Sequence, residues 1–267
     1  MTTLKKKLPI GVFDSGVGGL TVLEELVKQF PNEDFIFLGD QGHCPYGTKT
    51  DEQIKRCITN VEHYLEKKHV KAIVIACNTA SLFQSDLQKN TDIPILGVIN
   101  PTCEYAIKTS KNGNIAVLAT NATIAHKSYQ NKIEAAGLNP IGVPCSEFVD
   151  FIEHNDHDDP YGMELVESKL SFLKEKNIDT LIHGCTHFSI IEDLMRKVLG
   201  DNINYIACGY PTSLKLKEIL EEKDLLNEPH ETHIKIYTTG SVKEANRSMK
   251  FFNAPHNRIT HVNLEEV

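Results

Sequence analysis

Tryptophan is absent from the 267-residue chain, and aromatic residues make up only 7% of it. No apolar run approaches the roughly 18–20 residues of a membrane span, because the longest, 72–77, ends at Asn78. Basic residues are outnumbered, with 28 Lys and Arg against 36 Asp and Glu, and no basic run exceeds residues 5–7. A membrane protein and a nucleic-acid-binding protein are therefore disfavoured.

No two of the seven cysteines form a Cys-x-x-Cys pair, which argues against a disulfide framework and against a cysteine-rich zinc site. The first fifteen residues lack a small-residue cleavage site, so we expect an untargeted, cytoplasmic protein. Hydrophobic residues at 40% and charged residues at 24% are ordinary globular usage. The length suits one large domain or two small ones.

Short apolar runs rich in Ile and Val alternate with longer amphipathic segments such as 20–29, 51–67 and 163–175. This alternation is typical of βαβ units with buried, mostly parallel strands, and it predicts an α/β fold. The predicted strands are 10–13, 35–38, 72–76, 95–99, 115–118, 141–143, 180–183, 205–207 and 234–237.

The chain also resembles itself. PIGVFDS, ending at Ser15, aligns with NIAVLAT, ending at Thr120, and FIFLGD aligns with PIGVPC at the same offset of 105 residues. AIVIACNT aligns with TLIHGCTH at an offset of 108, which pairs Cys77 with Cys185. The repeat predicts two pseudo-symmetric α/β domains related by a pseudo-two-fold axis, with the active site in the cleft between them.

Each of the paired cysteines follows a predicted strand and precedes a predicted helix, a position that favours thiolate. The adjacent Asn78, Thr79 and Thr186 offer backbone amides that can bind an anion such as a carboxylate. Two equivalent acid/base groups on opposite sides of one carbon are what a stereoinversion requires, because one removes a proton while the other delivers one. Considered separately, each thiol could instead be a small buried hydrophobic residue with no catalytic role.

Other motifs favour structural roles. The glycines of FDSGVGGL lack the third glycine of a dinucleotide fingerprint and the lysine of a P-loop, so we expect a tight turn near a small ligand. The His- and Asp-rich run at 153–160 has no metal-ligand spacing and is expected to be a solvated loop. His183 is expected to be a hydrogen-bonded core histidine, and the histidines at 63, 69, 230, 233, 256 and 261 form no evident constellation.

Taken in order, six motifs resemble the glutamate racemases of the cofactor-independent aspartate/glutamate racemase superfamily over essentially the whole chain. They are GVFDSGVGGLTVL at 11–23, GDQGHCPYGTK at 39–49, IACNTAS at 75–81, LATNATI at 118–124, FVDFIE at 148–153 and HGCTHFS at 183–189.

The resemblance implies a racemase that interconverts L- and D-glutamate for peptidoglycan, without a cofactor or metal. It implies that Cys77 faces the D-enantiomer and Cys185 the L-enantiomer, with Asp14 assisting the first thiol and His187 the second. Asp40 and Glu153 would be further polar residues of the catalytic set. The implied substrate contacts, besides both cysteines, Asp14 and His187, are Ser15, Pro45, Tyr46, Gly47, Asn78, Thr79, Thr120, Thr123 and Thr186.

The implied first domain is discontinuous, 1–100 with 211–267, and the second spans 101–210. A homodimer is the expected assembly, and glutamate the expected small-molecule partner. The chain departs from the family pattern at positions that carry no proton transfer, namely Gly42, His43, Cys44, Asn100, Ser189, Cys208 and Gly209. An aspartate racemase of the same superfamily and a non-catalytic glutamate-binding regulatory protein remain as alternatives.

Overall fold

The computed structural model describes residues 2–155, 159–249, 252–253, 256 and 258–264. The chain divides into two compact units, Met1–Val98 with Gly209–Val267, and Ile99–Cys208. Asp156, His157 and Asp158, which belong to the expected solvated loop, lie outside the described residues. No helix in the described part of the chain is both long enough and apolar enough to cross a membrane.

The first unit contains a six-stranded, fully parallel sheet with the strand order β10-β9-β2-β1-β3-β4. Its strands are β1 (Ile10–Asp14), β2 (Phe35–Gly39), β3 (Ala72–Ile75), β4 (Ile95–Gly97), β9 (Ile234–Thr238) and β10 (Thr260–His261). Its helices are α1 (Thr2–Lys6), α2 (Leu20–Gln29), α3 (Asp51–Lys67), α4 (Asn78–Ser81), α5 (Gln84–Gln88), α12 (Gly209–Glu222) and α13 (Val242–Ser248), with 3₁₀ turns at Gln41–His43 and Tyr46–Thr48.

The second unit contains a four-stranded parallel sheet with the order β6-β5-β7-β8. Its strands are β5 (Asn114–Ala119), β6 (Asn139–Pro144), β7 (Thr180–Gly184) and β8 (Asn204–Ile206). Its helices are α6 (Ile99–Thr109), α7 (Asn121–Ala125), α8 (Ser128–Ala135), α9 (Ser146–His154), α10 (Pro160–Leu170) and α11 (Glu192–Leu199), with 3₁₀ turns at Ser171–Lys176 and Phe188–Ile191.

The prediction of an α/β fold built on parallel sheets is confirmed. Every residue of β1, β2, β3 and β7 is buried, which explains their continuous apolar sequences. The order β2-β1-β3-β4 in the first sheet has the same form as β6-β5-β7-β8 in the second, and this supports the internal repeat.

Local sequence explains the helix boundaries. Helix α3 begins with a capping box, in which the Thr50 hydroxyl accepts from the Gln53 amide and the Gln53 side chain accepts from the Thr50 amide. Helix α10 begins three residues before the predicted segment 163–175, because Asp159 caps it and Pro160 occupies its first turn. It ends at Leu170 and continues only as 3₁₀ helix.

Candidate active site

In the first sheet, β1 and β3 are neighbours, although the chain visits β2 between them. The carboxyl ends of such strands form the point at which open parallel sheets bind ligands. Asp14 is the last residue of β1, and Cys77 lies two residues beyond β3. The fold of this unit therefore brings together two of the residues that the sequence singled out.

Cys77 is the first residue of a chain of hydrogen bonds that ends at a carboxylate. Its Sγ lies 3.5 Å from Ser15 Oγ, to which it donates, and Ser15 Oγ donates to Asp14 Oδ1 over 3.2 Å. The Ala80 amide donates to the same sulfur over 3.5 Å. Cys77, Ser15 and Asp14 are all buried, so this relay is shielded from bulk water.

The expectation that the surroundings of Cys77 favour thiolate is wrong. Burial raises the pKa of the Cys77 thiol well above its ordinary value, and the negative charge of Asp14 raises it further. Hydrogen bonds from Ser15 and Ala80 act in the opposite direction and are outweighed. Helix α4, which Cys77 caps, has only four residues, so its dipole offers little compensation.

The glycine-rich turn after β1 fits closely around Asp14. A Cβ atom added to Gly19 would lie 2.5 Å from Asp14 Cβ and 2.7 Å from Asp14 Oδ2. Only glycine allows α2 to begin against this carboxylate. The motif thus packs the helix start onto a site residue, in agreement with the tight turn expected from its sequence.

Asp40 organises the neighbouring turn. Its carboxylate accepts hydrogen bonds from the Tyr46 hydroxyl at 2.6 Å and the Thr239 hydroxyl at 2.7 Å, and it lies 2.8 Å from His43 Nδ1. Burial and the charge of Asp40 raise the pKa of Tyr46 well above its ordinary value. With both oxygens engaged, Asp40 positions the Pro45–Gly47 turn, whose Cys44–Pro45 peptide is cis.

The second unit repeats the arrangement with different side chains. Thr120 caps α7 after β5, and its hydroxyl lies 3.1 Å from the Thr123 hydroxyl. Cys185 follows β7, the neighbour of β5. Thr186 is buried two residues after β7, and Thr123 on α7 and the Asn78–Thr79 pair on α4 are buried three to four residues after their strands.

A histidine and a carboxylate line up behind Cys185. The sulfur lies 3.7 Å from His187 Nδ1, and His187 Nε2 lies 3.1 Å from Glu153 Oε1 on α9. Burial alone would lower the pKa of His187, but its hydrogen bonds to Cys185 and Glu153 raise it well above 6.5. This is the order of thiol, imidazole and carboxylate that activates a thiol by proton transfer.

Cys185 does not lie at the N-terminus of an α-helix, so the expectation of a helix dipole at this thiol is also wrong. The Phe188 amide donates to the Cys185 carbonyl, and a 3₁₀ turn over Phe188–Ile191 precedes α11. The contact described above for this sulfur is with a side chain, the His187 imidazole.

A model of the Asp/Glu/hydantoin racemase family matches residues 10–208 of the chain. The chain belongs to this family. It is 40% identical over 227 residues to the glutamate racemase of Clostridium botulinum, covering 84% of this chain and 88% of that protein.

Solved structures of racemases are similar to this chain over nearly its whole length. The glutamate racemase of Bacillus anthracis aligns with a TM-score of 0.92 and 33% identity, covering 97% of this chain and 98% of that one. The Francisella tularensis enzyme in complex with D-glutamate aligns with a TM-score of 0.90 and 31% identity, covering 98% and 100%. The protein is accordingly an isomerase.

Three of the residues at which the chain departs from the expected family pattern, Gly42, Ser189 and Cys208, make hydrogen bonds within their own unit. The Gly42 amide donates to Thr239, and a Cβ at position 42 would lie 2.9 Å from the Thr239 carbonyl oxygen. Ser189 donates to the Thr186 carbonyl, and Cys208 donates to the carbonyl of His183. Asn100 is exposed on α6.

Two findings differ from what the sequence suggested. The ring of His183 is buried, yet neither of its nitrogens has a hydrogen-bond partner, so the expected core hydrogen bond is wrong. Asp34, His230 and His233 form a cluster that the spacing of the histidines alone did not reveal. Over the residues the structure describes, the groups whose ligand atoms could share a metal are this cluster and Asp40–His43–Cys57, and both exclude Cys77 and Cys185.

Proposed function

We propose that this racemase interconverts L- and D-glutamate by proton transfer at Cα, with Cys77 and Cys185 as the two acid/base residues. The observation that supports it is the equivalence of the two thiols. Each follows the strand that comes third along the chain in its unit, β3 or β7, and these strands hold the same place in the matching orders β2-β1-β3-β4 and β6-β5-β7-β8. Each thiol also connects to a carboxylate through one intermediate side chain. Relatives named glutamate racemases support the substrate.

Each thiol has a route for its proton. Cys185 hands its proton to His187, whose imidazolium Glu153 stabilises, and the resulting thiolate takes the Cα proton of L-glutamate. Cys77 delivers a proton from the opposite side, and takes it back in the reverse direction. Burial makes the Cys77 thiolate scarce, but a thiol of higher pKa yields a more basic thiolate, which suits the removal of a weakly acidic carbon-bound proton.

The strand ends supply the groups that would hold the substrate. Thr79 and Thr186 are buried residues that follow Cys77 and Cys185 by two residues and one residue, and the hydroxyls of Thr120 and Thr123 lie 3.1 Å apart. Their hydroxyls and backbone amides would bind the two carboxylates, while Tyr46 and its turn, held by Asp40, would line the rim. No step of this scheme calls for a cofactor or a metal.

Racemisation of L-glutamate and D-glutamate, followed by circular dichroism without added cofactor, tests the proposal. L- and D-aspartate serve as the comparison, because a side chain one methylene shorter is discriminated by only about 1–3 kcal/mol. We expect turnover of glutamate in both directions and slower turnover of aspartate. Faster turnover of aspartate than of glutamate would indicate an aspartate racemase. No turnover of either amino acid would indicate a glutamate-binding regulatory protein.

The variants Cys77→Ser and Cys185→Ser test the two roles. A serine hydroxyl fills similar space but does not ionise near neutral pH, so each change should abolish net racemisation while glutamate binding persists. Because the enantiomers have equal free energy, kcat/KM must fall equally in both directions. If one variant keeps near-normal rates in both directions, the cysteine that it replaces has only a structural role.

Solvent isotope incorporation tests the opposed geometry. Early in a reaction of L-glutamate in D₂O, the D-product should carry deuterium at Cα, and the recovered L-substrate should remain almost unlabelled. A single base that swings across the plane would instead return the original hydrogen. Early product that retains its Cα hydrogen, measured by NMR, would rule out the two-thiol mechanism.

We further propose that the product supplies D-glutamate for peptidoglycan in the cytoplasm. Depletion of the protein should then create a growth requirement for D-glutamate. Growth that stays independent of D-glutamate would show that another enzyme fills this role.

A further inference from the structure

We propose that Asp34, His230 and His233 form a binding site for a divalent transition metal of the zinc type, separate from the racemase site. These three residues are called the edge triad below. Asp34 directly precedes β2, and His233 directly precedes β9, so the edge triad lies at the amino edge of the first sheet. Cys77 lies two residues beyond the carboxyl end of the four-residue strand β3, at the opposite edge of the same sheet.

The spacing of the ligand atoms fits a tetrahedral ion. Asp34 Oδ1 lies 3.1 Å from His230 Nε2 and 3.3 Å from His233 Nδ1, and all three ligand atoms lie within 4.8 Å of one another. Bonds of about 2.0–2.1 Å to zinc place neighbouring ligands about 3.3 Å apart. The two separations from Asp34, 3.1 and 3.3 Å, are already close to this value, and a rotation of the exposed His233 ring would bring its Nδ1 to the same distance from His230 Nε2.

The backbone around the edge triad is fixed by contacts that do not depend on the rings. The Asn227 amide donates to the buried Glu33 carboxylate over 2.9 Å, and the Thr232 hydroxyl donates to the Pro31 carbonyl over 2.6 Å. The Phe35 amide donates to the His233 carbonyl over 2.9 Å. The segment that carries both histidines is thus held against the residues before β2, which lowers the cost of ordering the ligands on binding.

The donor set and its exposure suit a borderline metal. Two imidazoles and one carboxylate are ligands of zinc, nickel and iron, and three protein ligands leave one position for water. The side chains of Asp34, His230 and His233 are 28%, 31% and 63% exposed, so an ion can enter from solvent. His230 Nδ1 lies 3.2 Å from the Glu228 carbonyl oxygen, the type of outer partner that orients a metal-bound histidine.

The other cluster, Asp40–His43–Cys57, is less suited to a metal. Both oxygens of Asp40 already accept hydrogen bonds from the Tyr46 and Thr239 hydroxyls at 2.6 and 2.7 Å. An ion there would have to displace one of them from a buried position. At Asp34 the donors to be replaced are ring protons, which a metal ion displaces directly.

Zinc titration of the full-length, chelator-treated protein by calorimetry tests the proposal, with thermal unfolding recorded with and without Zn²⁺. The main variant is His233→Ala, because its ring is exposed and its backbone amide, which donates to Asp34 over 2.8 Å, is kept. His230→Ala is the second ligand variant. His261→Ala is the matched control, since this exposed histidine lies in β10 of the same unit.

We expect the wild-type protein and His261→Ala to bind one zinc ion at this site and to unfold at a higher temperature when it is present. Loss of either triad histidine should weaken binding by at least about tenfold, the smallest effect usual for loss of an outer partner alone. Cobalt bound at the site should show visible ligand-field bands without a thiolate charge-transfer band, which separates the edge triad from the cysteines. Wild-type affinity in both histidine variants, a thiolate spectrum alone, or no saturable binding would overturn the proposal.

Discussion

His183 makes the stability of the second unit depend on pH in a way that can be calculated. Its imidazole is buried on β7, and neither ring nitrogen has a hydrogen-bond partner. Glu192 Oε2 lies 3.8 Å from Nδ1, but Glu192 is engaged by Arg196 over 2.8 Å. Burial, together with the charge of Arg196, therefore lowers the pKa of His183 from 6.5 to about 3.

The direction of this pH dependence follows from how many protons the folded and unfolded states bind at position 183. The unfolded chain binds a proton at position 183 below pH 6.5, while the folded protein binds it only near pH 3, so the free energy of unfolding falls as the pH decreases between these values. A pH of 5 is 1.5 units below the pKa of 6.5 that His183 has in the unfolded chain. At about 1.36 kcal/mol per unit, the loss relative to neutral pH is about 2 kcal/mol.

The variant His183→Leu removes this proton uptake. It should be more stable than wild type at pH 7 by about 1 kcal/mol, because it replaces an unpaired polar group with an apolar one. Between pH 7 and pH 5 it should lose about 2 kcal/mol less than wild type. Urea denaturation followed by circular dichroism measures both values, and His154→Gln, an exposed histidine of the same unit, is the control. Equal pH dependence in wild type and His183→Leu would refute the reasoning.

Three further predictions concern the racemase site. Glu153→Gln removes the charge that stabilises the His187 imidazolium, so kcat should fall by about 10- to 100-fold and the pH–rate profile should shift, as steady-state kinetics will show. Gly19→Ala forces a Cβ against Asp14, and activity should be largely lost while circular dichroism shows a folded protein. EDTA should leave kcat unchanged, and carbonyl reagents likewise, because the proposed proton transfers use side chains only; activity lost to EDTA and restored by a metal would contradict this.

Matched variants separate these effects from general destabilisation. Glu147→Gln on the same helix, α9, removes a carboxylate paired with Lys169, and should leave kcat and its pH profile intact. Gly137→Ala introduces strain at a positive φ of 77° in open space, so it should cost about 1 kcal/mol of stability without loss of activity. If either control behaves like its test variant, the assigned role of Glu153 or Gly19 is wrong.

The sequence predicted those features that local pattern determines. Nine strands were predicted from apolar runs, because buried parallel strands must be apolar on both faces. The bounds of α2 and α3 agree to the residue with the amphipathic segments 20–29 and 51–67, since apolar periodicity is a local signal. The internal repeat also indicated which strands are equivalent, and the two sheets have the matching order.

Features that depend on the environment of a side chain could not be predicted. The raised pKa of Cys77 results from burial beside Asp14, which no spacing in the sequence reveals. The edge triad joins Asp34 to histidines nearly 200 residues later, through pairing of β2 with β9. Strand β10 has two residues, which is too short for a periodic signal.

The two thiols show how a duplicated fold can keep a position while its chemistry diverges. The end of the third strand sets the place of each cysteine, and this place is fixed by the buried sheet. The partners differ between the units: Ser15 and Asp14 at the end of β1 for Cys77, and His187, two residues further along the chain, with Glu153 on α9 for Cys185. The two relays share no residue, so each can be adjusted separately. Under the proposed mechanism this asymmetry is permitted, because equal free energies of the enantiomers fix only the ratio of the overall rates and leave the individual proton transfers free to differ.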